Sequence, residues 1–317
     1  MTSHEKIWSS ATPGLLIILI DQSGSMLAPY DKIDTKTVYA SQVVNRIINC
    51  QIMANFDGES PRNRCFISVI GYGNDAKELC SGYLKDLDAN LIRIESIKKK
   101  TSDGAGGIIE FPYEMPIWVE PISSAYKDEC SNMTKAFESA LNTCEQWISQ
   151  HPDTPAPVIL NISCGMPQYE GKSIETCMAE TLEVVNQLKA TKCFDGNVLI
   201  YNALMDDNDS NISFPQSVEQ CSNNVEQFIF DISSEVPHSR QLIAQKEDAA
   251  IKKNSRACVF YIQSIHSLVS IIQQKQIFLA ATVDDTKSAN TRTVIKTINN
   301  DTILSRIRKS LKTIFTK

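Results

Sequence analysis

Residues 21–25 read Asp-Gln-Ser-Gly-Ser. A carboxylate at Asp21 and hydroxyls at Ser23 and Ser25 alternate on one short loop, so their oxygens can converge on a point. Oxygens of this kind are hard ligands and suit Mg²⁺ or Mn²⁺ rather than zinc. With one formal charge among neutral oxygens, a bound ion would stay electrophilic and accept one more acidic oxygen, which a partner protein could supply. The plainer reading of the same residues is an Asx/Ser turn that ends a strand and caps a helix.

The surrounding chain says where such a loop would sit. Residues 14–20 (GLLIILI) form a continuous apolar run, the pattern of a central parallel strand covered on both faces. Further strands are expected at 64–71, 158–163, 197–204 and 258–262, with a short extended segment at 76–83 and a short element at 228–232. Helices are expected from a cap at Asp34 to about residue 53, then over 131–150, 173–189, 237–250 and 266–274. The helix at 173–189 would bury Ile174, Met178, Leu182, Val185 and Leu188. A short helix is expected within 87–100, then a Gly-rich loop at 101–110 and an extended, proline-punctuated surface segment at 111–121. Alternating strands and helices predict an α/β fold, a mostly parallel central sheet with helices on both faces. Ligands of such sheets sit at the carboxyl ends of the strands, which is where residues 21–25 fall.

LIILIDQSGSM resembles the start of the metal-ion-dependent adhesion site of von Willebrand factor A (vWA) domains, which opens with D-x-S-x-S after an apolar first strand. The resemblance implies a Rossmann-like vWA domain over residues 10–280 with a C-terminal elaboration. It also implies two further loops. One supplies a Thr in the family; here Ser131, in Cys-Ser-Asn-Met, keeps the hydroxyl. The other supplies an Asp; here Ile-Ser-Cys-Gly puts Cys164 in its place. A neutral thiol is a poor partner for a hard ion, so Mg²⁺ or Mn²⁺ affinity is expected to be weakened. The segments GAGGIIEFPYEMPIWVEP, FDGNVLIYNALM and FIFDISSEVP resemble the bacterial TerY-like group, encoded beside a PP2C-type phosphatase and a Ser/Thr kinase in stress, tellurite-resistance and phage-defence operons. That implies a non-enzymatic, cytoplasmic interaction adaptor whose partners are the phosphatase, the kinase or both.

Other chemistries find less support. There is no G-x-S-x-G elbow and no phosphate-binding G-x-x-x-x-G-K-[ST]. None of His4, His151, His238 and His266 stands in a base-like context. Asp206–Asp209 lacks the Gly and Glu of a calcium loop. A metal-dependent hydrolase or nuclease built on Asp21 remains the alternative, although such enzymes gather several acids. Ten cysteines with no C-x-x-C pair read as reduced core thiols, and the sequons at Asn132, Asn161 and Asn211 carry no meaning without export. No apolar run reaches the length of a membrane span, and the first twelve residues lack the pattern of a signal peptide.

Over 317 residues, 31 basic and 37 acidic side chains leave a net charge of −6, which argues against the whole chain being a nucleic-acid binder. Residues 287–317 differ, with eight basic residues and one acid, and their apolar positions share a helical face. This basic amphipathic tail reads as a helix that docks on a partner or on its own acidic domain, lies on anionic membrane, or contacts nucleic acid. A scaffold with a dead metal site that binds through this tail is a further alternative.

Overall fold

The computed structural model describes residues 4–30, 34–102, 108–123, 130–169, 171–205, 212–239, 241 and 251–260. The expected helix at 266–274, the tail at 287–317, the Asp206–Asp209 turn and most of the helix at 237–250 lie outside them. The chain divides into two compact units. The first holds residues 1–93 and 116–281, and the second holds 94–115 with 282–317.

In chain order the elements are β1 (Gly14–Asp21), a 3₁₀ turn (Gly24–Leu27), α1 (Lys36–Ala54), β2 (Phe56–Asp57), β3 (Ser60–Pro61), β4 (Cys65–Tyr72), β5 (Ala76–Tyr83) and α2 (Leu84–Ala89). Then follow β6 (Arg93–Ser102), β7 (Ile108–Ile117), α3 (Met133–Gln150), β8 (Val158–Ser163) and α4 (Ile174–Ala190). The last are β9 (Lys192–Cys193), β10 (Gly196–Asn197), β11 (Leu199–Leu204), a second 3₁₀ turn (Val218–Gln220), α5 (Asn224–Ile232) and β12 (Cys258–Phe260).

Six strands form the central sheet in the order β12-β11-β8-β1-β4-β5. All pairings are parallel except β4 with β5. The fold is therefore α/β, as the alternation of elements predicts. All eight residues of β1 are buried, because the strand lies inside the sheet and both its faces are covered. Leu16, Ile18 and Ile20 pack with Val43, Val44, Ile47, Ile48 of α1 and Leu84, Leu87 of α2. Leu15, Ile17 and Leu19 face Phe137 of α3, Val185 of α4 and Ile229 of α5. Burying one such aliphatic side chain is worth about 1.5–3 kcal/mol, so β1 is the anchor of both cores.

From β1 the chain runs outward through β4 and β5, then returns to lay β8 on the other side of β1. The strand order thus reverses between β1 and β8, the kind of crevice where open α/β sheets take ligands.

Several expectations need correction. The short helix expected within 87–100 occupies only its first residues, as the end of α2 (Leu84–Ala89). α2 ends at Ala89 and β6 begins at Arg93, because β6 finds a hydrogen-bonding partner in β7. The segment at 111–121 is extended, but it is not a surface segment throughout: residues 115–119 are buried, Trp118 and Val119 among them. Asn45 of α1 holds them, its Oδ1 accepting from both backbone N–H groups at 2.8 and 3.0 Å and its Nδ2 donating to the Val119 carbonyl at 2.8 Å. The cap of α1 is Thr35, not Asp34, and it makes no side-chain bond to the helix. In α4, Ile174 is 42% exposed. It is the first residue of the helix, whose buried residues are Cys177, Thr181, Val184, Val185 and Leu188. Val185 and Leu188 are thus buried as expected, Met178 and Leu182 pack half-buried against the same core, and Thr181 pairs with Thr134 of α3 at 2.8 Å. The short element at 228–232 is the end of helix α5.

None of the ten cysteines is in a disulfide; five are buried and five half-buried. Among the described residues no helix is long and apolar enough to cross a membrane.

Candidate functional site

Asp21 is the last residue of β1, in register with Tyr72 of β4. The chain leaves the sheet there, with the Gln22 N–H bonded to the Tyr72 carbonyl at 2.7 Å. The next residues turn at once, so Ser23 precedes the 3₁₀ turn and Ser25 lies within it. Cys164 follows the last residue of β8, the strand beside β1. Ser131 arrives from 110 residues away in sequence. Asn132 caps α3, its side chain accepting from the Lys135 N–H at 3.2 Å, which leaves Ser131 just outside the helix. Ser131 is fixed by a two-way backbone pairing with Gln168 at 2.6 and 3.1 Å, and Asn132 N–H bonds the Gly73 carbonyl at 2.7 Å.

All five residues singled out from the sequence meet. Asp21 Oδ1 accepts from the Ser23 backbone N–H at 2.8 Å. Its Oδ2 accepts from the Ser131 hydroxyl at 3.2 Å, and from the backbone N–H and the thiol of Cys164, both at 3.5 Å. Ser23 Oγ and Ser25 Oγ are 2.8 Å apart. Cys164 Sγ lies 3.0 Å from Ser25 Oγ and 4.0 Å from Ser23 Oγ. Asp21, Ser23 and Ser131 are buried, Cys164 is half-buried and Ser25 is exposed. The cluster is a buried carboxylate with an outward hydroxyl and thiol edge.

Burial raises the Asp21 carboxyl above the ordinary carboxylate range, and hydrogen bonds from Ser23 and Cys164 oppose the rise. Burial first, and the Asp21 charge second, push the Cys164 thiol up to about 12. The thiol is therefore a neutral hydrogen-bond donor at ordinary pH.

Mg²⁺ or Mn²⁺ would have to be held by Asp21, Ser23, Ser25 and Ser131, and the arrangement fits such an ion poorly. The single carboxylate already takes four donors from its own chain, and the fifth side chain offers a soft sulfur where a hard ion wants an anionic oxygen. Among the described residues, no group of three or more His, Cys, Asp or Glu side chains is placed to hold a metal ion.

Sequence reasoning missed two neighbours. Tyr72 is fully buried, and the charge of Asp21 helps push its phenol up, second only to burial. Lys36, at the start of α1, is 6% exposed and its charge tempers the Cys164 shift. A strand-end Tyr and a helix-start Lys carry no motif, so only the fold reveals them. His4 and His151 serve elsewhere: His4 Nε2 pairs with the Asn197 carbonyl at 2.8 Å, and His151 stacks on Trp147.

No family model matches the sequence, and no curated protein matches it. Solved structures do. The conserved hypothetical protein BatB from Bacteroides thetaiotaomicron matches at 14% identity and a TM-score of 0.42, over 83% of this chain and 96% of that one. An aerotolerance-related membrane protein from Bacteroides fragilis matches at 11% identity and a TM-score of 0.41, over 83% and 98%. The manganese-loaded TRAP protein of Plasmodium vivax matches at 13% identity and a TM-score of 0.37, over 84% and 74%. Likenesses this distant transfer neither residue roles nor ligands to this chain.

Proposed function

We propose that this chain is a non-enzymatic protein-interaction module whose contact face centres on Asp21, Ser23, Ser25, Ser131 and Cys164. The observation that carries the proposal is the meeting of these five residues, from three separate loops, at the β1/β8 crevice. A turn that merely ended a strand would not need Ser131 and Cys164 brought from 110 and 143 residues away. The finer reading is a vWA adaptor of the TerY-like group, cytoplasmic, serving a PP2C-type phosphatase or a Ser/Thr kinase in a stress or defence system. It rests on the sequence resemblance alone. Mg²⁺ or Mn²⁺ enters only as a weakly held ligand of Asp21, Ser23, Ser25 and Ser131.

The lone carboxylate supports binding over catalysis, since metal-assisted hydrolysis draws on several acids. Asp21→Ala tests the face by removing the buried carboxylate to which Ser23, Ser131 and Cys164 donate. Pull-down of the phosphatase and kinase by the folded variant should fall at least about tenfold, which is ~1.4 kcal/mol of lost binding. Retention equal to wild type refutes the face as the interface. Phosphoester turnover abolished by EDTA and by Asp21→Ala would favour the hydrolase instead. Loss of capture on deleting residues 287–317, with Asp21→Ala silent, would favour the scaffold that binds through its tail.

A further inference from the structure

We infer that Cys164 makes this cluster independent of divalent cations, its thiol closing a hydrogen-bonded ring around Asp21 that does the positioning a bound ion would otherwise do. A buried carboxylate is costly unless hydrogen bonds compensate it. Around Asp21 they come entirely from this chain: Ser23 N–H on Oδ1, and Ser131 O–H, Cys164 N–H and Cys164 S–H on Oδ2. Two of those four donors belong to Cys164.

The contacts close on themselves. From Asp21 Oδ2 the path runs to Cys164 Sγ at 3.5 Å, to Ser25 Oγ at 3.0 Å and to Ser23 Oγ at 2.8 Å. It returns through the Ser23 backbone N–H to Asp21 Oδ1 at 2.8 Å. Each hydroxyl and the thiol carry one proton. With Ser23 O–H on Ser25, Ser25 O–H on Cys164 and Cys164 S–H on Asp21, every proton is used once and all point toward the carboxylate. An ionised Asp at position 164 would remove the proton that completes this path. It would also set a second negative charge against Asp21 in a buried place, and that pair would need a cation between its members. Cysteine supplies the donor, adds no charge, and offers sulfur that a hard ion does not favour. The outward edge is then a neutral pair, the Ser25 hydroxyl and the Cys164 thiol, available to a partner's polar groups whether or not Mg²⁺ is present. That last use rests on the interaction reading above; the metal behaviour does not.

The test is Mn²⁺ binding to the purified full-length chain, read by the electron paramagnetic resonance of free Mn²⁺ and by the shift of Tm with Mg²⁺ or Mn²⁺. Wild type should hold no Mn²⁺ at about 1 mM and show no cation-dependent Tm. Cys164→Asp should bind Mn²⁺ at least about tenfold more tightly, with a Tm that rises with cation concentration. Cys164→Ala, which opens the ring without adding a charge, should lower Tm equally with and without EDTA. Wild-type binding with Kd below about 1 mM overturns the inference, as does a folded Cys164→Asp that binds no better than wild type. A Cys164→Ala variant as stable as wild type also overturns it. If Cys164→Asp fails to fold in Mn²⁺, the wild-type titration and the Ala variant decide the matter. None of these readouts involves a partner, so a failed pull-down and a failed ring are told apart.

Discussion

A chain of buried side-chain hydrogen bonds crosses the sheet beneath the site, and a double-mutant cycle should expose it. Tyr72 on β4 donates to Asn161 Oδ1 on β8 at 2.9 Å, and Asn161 Nδ2 donates to Asn202 Oδ1 on β11 at 3.0 Å. Asn202 Nδ2 donates to Ser233 Oγ at 2.8 Å, and that hydroxyl bonds the Ile229 carbonyl at 2.6 Å. Asn161 and Asn202 face each other in the parallel ladder, at 0% and 2% exposure. Replacing Asn161 by Leu keeps the volume, takes from the Tyr72 hydroxyl its 2.9 Å acceptor and takes from Asn202 Oδ1 its 3.0 Å donor. At about 1–3 kcal/mol per abandoned group, Asn161→Leu should cost about 2–6 kcal/mol. Asn202→Leu likewise leaves Asn161 Nδ2 with only its weak 3.8 Å contact to Met133 Sδ and removes one bond to Ser233, for a similar cost. In the double variant the two inner groups are gone and only the two outer ones remain. Its loss should therefore be about half the sum of the single losses, a coupling of at least ~2 kcal/mol. Urea unfolding at constant m measures all four proteins. Losses that add to within ~0.5 kcal/mol would refute the connected chain, and an Asn161→Leu cost below ~1 kcal/mol would refute the burial argument itself.

Two further outcomes follow from single residues. Asn45→Ala removes three bonds to the backbone at Trp118 and Val119. It should cost about 3–5 kcal/mol by urea unfolding and red-shift the Trp emission, since Trp118 is held dry. Lys189 is pulled down from 10.5 to about 8 by burial first and the Arg256 charge second. Below about 8 the folded chain bears the full cost of a charged, poorly solvated ammonium. Between about 8 and 10.5 the unfolded chain binds the extra proton, so this cost fades as pH rises. The stability of wild type relative to Lys189→Met should therefore climb across that window, and a flat difference in Tm against pH would contradict the assignment.

The strands were legible because burial on both faces writes itself as an unbroken apolar run, as in residues 14–20 and 158–163. The long helices were legible from their 3.6-residue spacing. Where a local pattern had two outcomes, a distant partner chose between them. Residues 93–102 carry Ile94 and Ile97 among charges and would serve a short helix or a strand; β7 makes them a strand. Ile174 fits the apolar stripe of α4 yet is exposed as the helix's first residue, while the polar Thr181 on the same stripe is buried where Thr134 offers it a hydrogen bond. Asn161 looked like a sequon, and the fold makes it the middle of a polar chain closed to any glycosylation enzyme.

Taken alone, the sequence specified an α/β chain and the oxygens of Asp21, Ser23 and Ser25 at its first strand's end, properties that are local and set by apolar periodicity and side-chain chemistry; Ser131 and Cys164 were named through the resemblance to vWA domains. Only the tertiary structure decided that β8 lies beside β1, that Ser131 and Cys164 both reach the Asp21 carboxylate, and that a thiol proton rather than a second acid completes its shell. Such contacts span 110 to 143 residues. They depend on which strands pair once the apolar runs are buried, and no short window of sequence holds that choice.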